Sequence, residues 1–159
     1  MVHNVDFATV ILMVTVAVLF YAAFADLKHY RISNELILLL IGLFVLHAIF
    51  SHRWINAAWS LGLAAGVFLF LIYFYSRQWI GGGDVKILPV AFLWAGIECA
   101  FPFVLLLLLF VSLHTVAARL GWVESRQVEH DSRQRIPFAP SIAAALIASI
   151  LLGCLRSPG

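Results

Sequence analysis

Charge is the scarcest thing in this chain. Only 11% of its residues are Asp, Glu, Lys or Arg, while 64% are hydrophobic. A water-soluble domain carries about 25% charged residues, so no arrangement of this chain covers it with a polar surface. A transmembrane barrel is excluded too, because it needs segments of alternating polarity and the apolar runs here are continuous. The fold class that remains is all-α: a polytopic bundle of membrane-spanning helices embedded in a lipid bilayer.

Further absences narrow the function. Cys99 and Cys154 stand alone, with no CxxC spacing and no histidine pair beside them, so neither a zinc site nor any other bound metal is expected. No basic run interleaves with aromatics, which argues against a nucleic-acid partner. The patterns GxxxxGK[ST], GxSxG and HExxH do not occur, which removes the P-loop, the nucleophile elbow and the helical zinc protease. The N-terminus has no basic n-region, only His3 and Asp6 before an apolar run. That run exceeds the roughly 15 residues of a signal h-region and reads as a retained span. Almost nothing lies outside the apolar runs, so residues 1–159 read as a single domain.

The runs themselves give about six spans. They cover Val5–Ala25, Glu35–Phe50, Ile55–Tyr75, Asp84–Ile97, Phe101–Ala118, and a last segment opened by Pro137 and Pro140 and ending near Leu155. Asn34 followed by Glu35 predicts a capped helix start. Gly62 and Gly66 form a GxxxG that permits close helix contact. The fourth run is short, about 21 Å of helix against a hydrocarbon core of about 30 Å. Glu98 and Cys99 mark the turn after it, and Pro102 suits the first turn of the next helix. Arg119 to Arg135 is the one long polar connection.

Basic residues orient the spans. With the N-terminus outside, Lys28, Arg31, Arg77, Lys86, Arg119, Arg126, Arg133 and Arg135 fall on the cytoplasmic side, and only Arg53 and Arg156 fall outside. That is the bias of the positive-inside rule. Asp26 and Asp84 then lie at cytoplasmic ends of spans, at similar depth. Cys99 and Cys154 both fall toward the outer face, where a disulfide can form.

The stretch Gly81-Gly82-Gly83-Asp84-Val85-Lys86 is the chain's strongest irregularity. Consecutive glycines favour no regular structure, and irregular backbone near a bilayer is tolerated only against protein or a water-filled cavity. An acid there is costly and usually functional. Two carboxylates meeting in a poorly solvated site titrate as a unit and serve hydrolysis: one takes a proton from water, the other hydrogen-bonds the scissile carbonyl. Plainer readings stand beside this one. Asp84 also reads as a helix N-cap, Asp26 as a solvated residue at a helix end, and Lys86 as a snorkelling anchor. His47 and His114, inside apolar runs, read as packing or pore-lining residues. A proton- or cation-coupled transporter using Asp26 and Asp84 is a second class of function, and a non-catalytic scaffold subunit of an export machine is a third.

These residues also carry a family resemblance. Gly81 to Lys86 matches the GxGDxK motif of the prepilin peptidases, membrane aspartic proteases of the GxGD class. Asp26 to Asn34 resembles the family's other aspartate motif, with Ser33 where the family usually has proline. Arg135-Ile136-Pro137-Phe138-Ala139-Pro140 resembles the segment that opens the family's last helix. The resemblance implies that Asp26 and Asp84 are the catalytic pair and that Gly81, Gly82, Gly83 and Lys86 line the substrate. It implies no cofactor. The implied substrates are pilin-like precursors, whose short basic leader would be cut at the cytoplasmic face of a bacterial inner membrane. The chain lacks the cytoplasmic insert and tetracysteine site associated with N-methylation, so it is similar to the small peptidases of tight-adherence (Flp) pili, and no methyltransferase activity is expected.

Overall fold

The computed structural model describes residues 7–29, 33–119 and 139–152. Among them all regular structure is helical: α1 (Phe7–His29), α2 (Asn34–Ser51), α3 (Trp54–Ser76), α4 (Gly82–Arg119) and α5 (Ala139–Leu151). The first four are long and apolar enough to cross a membrane. Helix α5 has 13 residues, about 20 Å, and is short of a full crossing. Large apolar side chains cover the outside; Ile55, Leu69 and Phe101 are 74%, 69% and 73% exposed. Such a surface is stable only in hydrocarbon.

Helix ends are set by local chemistry. Ser33, in extended conformation, caps α2 by accepting the Leu36 N–H at 3.3 Å, one residue earlier than the expected Asn34 start. The Asn34 side chain is thereby left for a tertiary contact. Helix α3 ends in a Schellman motif. Gln78 takes a left-handed φ of 59°, its N–H reaches the Tyr75 carbonyl at 2.8 Å, and the Trp79 N–H reaches the Phe74 carbonyl at 3.1 Å. The apolar contact that accompanies such an ending is present as well, with the Phe74 and Trp79 rings 5.7 Å apart. This closure delivers the chain to the glycine stretch.

Helix α4 is two helices in one element. Gly96 has φ 67° and ψ 176°, a region essentially closed to residues with a Cβ. In one straight helix Phe92 and Phe103 would stand about 16 Å apart along the axis, yet their ring centroids are 5.1 Å apart. The chain therefore folds back at Gly96, two residues before the expected turn at Glu98. The break is held against the start of α3: Asn56 Nδ2 donates to Glu98 Oε1 at 3.2 Å, and a Cβ on Gly96 would lie 3.0 Å from Ser60 Oγ. Pro102, expected in a first turn, lies within the second half of α4.

The core gathers on α4 and α5. Trp94, 1% exposed, donates its indole N–H to the Leu40 carbonyl at 3.1 Å and meets the Phe44 ring edge-on. It ties α2 to the first half of α4. Helix α5 is buried at Ala139, Ser141, Ile142, Ala143, Ala145, Leu146 and Ser149. Small residues of this kind let helices approach closely without large knobs, and α5 packs against both α1 and α4. The buried hydroxyls of Thr15 and Ser149 are satisfied within their own helices: Thr15 donates to the Ile11 carbonyl at 2.8 Å and Ser149 to the Ala145 carbonyl at 2.8 Å. The GxxxG of α3 makes no such approach within the chain: a Cβ at Gly62 or Gly66 would meet nothing within 4 Å.

Two substitutions test these backbone assignments. Gly96→Ala is expected to lower stability by about 1–3 kcal/mol, and adding Ser60→Ala recovers only a minor part, because the strained φ persists. Gln78→Gly relieves the left-handed residue and is expected to gain up to about 1 kcal/mol. Thermal unfolding in detergent, followed by circular dichroism, measures both.

Candidate active site

The ends of several helices converge on one end of the bundle. Helix α1 runs to His29, so Asp26 lies within the helix rather than in the polar connection expected there. It is 7% exposed, which excludes the solvated helix-end reading. An acid near a helix C-terminus faces an unfavourable dipole. The compensation comes from α5, whose first backbone N–H, on Ala139, donates to the Asp26 carboxylate. The Ala139 position belongs to the proline-containing segment noted in the sequence. The part of that segment before Ala139, and the polar connection leading to it, lie outside the described residues.

Asp84 lies in the first turn of α4, where a carboxylate is favoured by the helix dipole. The helix already includes Gly82 and Gly83, so only Gly81 of the three glycines precedes it. The Val85 N–H closes onto the Gly81 carbonyl at 3.3 Å. The Asp84 carboxylate turns back over Gly81, where a Cβ would stand 3.4 Å from Oδ2. On the other side, a Cβ at Gly82 would stand 3.5 Å from the Tyr75 ring. Both are ordinary van der Waals distances, so the chain's own packing does not demand glycine at either position.

Asp84 lies near enough to Asp26 to feel its charge, although the acids sit on helices whose backbones stay apart: no α-carbon of α1 lies within 8 Å of one of α4. Helices α2 and α5 lie between them, since each packs against both α1 and α4. Lys86 Nζ donates to Asn34 Oδ1 at 2.9 Å. That bond joins the glycine motif to the last residue of the Asp26 motif and fixes the start of α4 on the start of α2. Lys86 itself is exposed, as a snorkelling lysine would be, but it is also a cross-link.

A small cavity of about 70 Å³ lies at the opposite end, beside the Gly96 break, lined among others by His47, Arg53, Asn56, Glu98 and Cys99. His47 packs against the Trp94 ring there, centroids 5.6 Å apart. Cys99 is buried; Cys154 lies outside the described residues, and with it the question of their pairing. Among the described residues no group of three or more His, Cys, Asp and Glu side chains could hold a metal ion. Sequence reasoning passed over Gly96, the Ser33 cap and the Ala139 N–H. Gly96 carried a readable signal, a lone glycine between Pro89 and Pro102 in an apolar run. The Ala139 donor carried none, because a backbone N–H has no sequence signature.

Comparison with known proteins gives the family of the chain. Neither curated proteins nor solved structures gave a significant match. The family model described as the type IV leader peptidase family matches residues 13–156, nearly the whole chain and all the residues that converge at this end of the bundle. The chain is a helical membrane protein, and it belongs to the type IV leader peptidase family.

Proposed function

We propose that this protein is an aspartic endopeptidase that removes the short basic leader from type IV pilin-like precursors, with Asp26 and Asp84 as its catalytic pair. The observation that carries the reading is that these two carboxylates lie within reach of each other's charge at one end of an otherwise apolar bundle. Close carboxylates share a proton. The ionised member takes a proton from water as the water oxygen adds to the scissile carbonyl carbon. The protonated member hydrogen-bonds and then protonates the carbonyl oxygen. Collapse of the resulting diol breaks the C–N bond; the leaving nitrogen takes a proton from the protonated member of the pair while a diol hydroxyl gives its proton to the ionised member, which restores the shared proton. Water and peptide in, acid and amine out: no other reactant is needed.

The substrate backbone lies along the end of the bundle beside Asp26 and Asp84. Gly81 and Gly82, which present no side chain between Asp84 and Tyr75, let an extended peptide approach Asp84, with Gly83 behind them in the same turn. Counting the halves of α4 separately and α5 as a crossing gives about six spans. The positive-inside rule puts the N-terminus outside and the aspartates at the cytoplasmic face, where a basic leader would remain. The family's membership carries the inference of a bacterial inner membrane and of pilin-like partners; the absence of a cytoplasmic insert in the sequence carries that of leader cleavage without methylation.

Asp26→Asn and Asp84→Asn are each expected to lower precursor cleavage by at least about 100-fold while the protein accumulates in the membrane. Processing at the normal rate by either variant, in cells co-expressing a pilin-like precursor, would sink the reading. Lys86 is expected to act partly through Asn34. Lys86→Met and Asn34→Ala should each slow cleavage, and their effects should be non-additive in the double variant. A larger rise in KM for Lys86→Met than for Asn34→Ala would measure its added contact with substrate.

A further inference from the structure

The second half of α4 returns His114 to the end of the bundle that holds the aspartates. Its Nδ1 lies 3.4 Å from Ser141 Oγ, and Ser141 belongs to the first turn of α5, two residues beyond Ala139. Ser141 is 4% exposed. His114 Nε2 is buried and has no hydrogen-bond partner among the described residues. A neutral imidazole offers one donor and one acceptor. Whichever tautomer is present, one buried ring nitrogen is left unmet, which is a cost. A residue kept only to fill space would be a leucine or phenylalanine and would carry no such cost. What the imidazole gains in exchange is the contact with Ser141.

That contact acts on the site through a short path. The first N–H groups of a helix have no partner within it, so the direction of the Ala139 N–H depends on how the first turn of α5 is held. One side of that turn faces α1, where Ala139 donates to Asp26. The other faces α4, where Ser141 meets His114. We propose that His114 and Ser141 are positioning residues, which hold the first turn of α5 so that the Ala139 N–H stays on the Asp26 carboxylate. This rests on the peptidase reading for its consequence in catalysis, though not for the geometry itself. Neither residue touches the reacting atoms. Each acts through α5.

The test uses the full chain in lipid nanodiscs, with a pilin-like precursor bearing a short basic leader as probe. His114→Phe keeps the ring and removes the polar atom, His114→Asn restores a polar atom near the place of Nδ1, and Ser141→Ala removes the other partner. His114→Phe and Ser141→Ala are expected to lower kcat about fivefold with KM within about twofold, the size one hydrogen bond supports. His114→Asn should recover most of that loss. Amide hydrogen exchange over the start of α5, read by mass spectrometry on the same samples, should speed up in His114→Phe and Ser141→Ala and stay near wild type in His114→Asn. Unchanged kcat and exchange in His114→Phe overturn the proposal, as does equal damage from the Phe and Asn variants, which is the mark of packing alone. If the wild-type chain cleaves nothing, the peptidase reading fails, and the exchange data still decide whether His114 holds α5.

Discussion

The bundle depends on the break in α4. At 38 residues, an unbroken helix would run about 57 Å, nearly twice the thickness of a hydrocarbon core, and would carry His114 far from Asp84. The conformation of Gly96 turns the chain back within its own element. Both ends of α4 then lie near the aspartates, and α5 packs against a helix that has already returned. The turn is not a loose hinge. Ser60 stands against Gly96, and the Asn56–Glu98 bond fastens the residues just beyond it to α3. A bulkier residue at position 96 would have to change its φ, and with it the direction of everything that follows.

Within this frame the polar chemistry is confined. Buried hydroxyls along the helices spend their donors on carbonyls of their own helix, which suits an interior with no water to offer. At the aspartate end three polar contacts reach between helices: Lys86 to Asn34, Ala139 to Asp26, Ser141 to His114. The N-termini of α4 and α5 both point their unmet N–H groups toward the acids, and that orientation favours carboxylates there. The backbones of α1 and α4 stay apart while α2 and α5 pack against both. On the peptidase reading, an extended leader enters beside the acids while the apolar helix behind it remains in lipid.

Much of this was legible in the residues. Low charge and continuous apolar runs left only a helical membrane bundle, since no other fold satisfies the backbone in hydrocarbon. Asp26, Asp84 and the glycines stood out because an acid beside glycines is costly in such a chain. Positive-inside counting gave the expectation that the two acids share one face of the membrane. Local details were less secure: the cap of α2 is Ser33 because its extended backbone presents the hydroxyl to the Leu36 N–H, whereas Asn34 had seemed the natural start. The turn sits at Gly96 rather than Glu98, because backbone conformation and not polarity decides where a helix can reverse.

Sequence alone determined the solvent of this protein, the approximate helix runs and the residue types able to do chemistry, because each depends on composition or on spacing along one helix. Only tertiary structure decided which of those residues meet. Asp26 and Asp84 are distant in the chain and sit on helices that do not pack backbone to backbone, so their pairing follows from how α2 and α5 fill the space between. The burial of Asp26 under the first N–H of α5, and the return of His114 to the same end, have the same origin. No periodicity encodes a distance across a bundle. It is set by how small residues let α5 sink between its neighbours, and by one glycine that folds α4 in two.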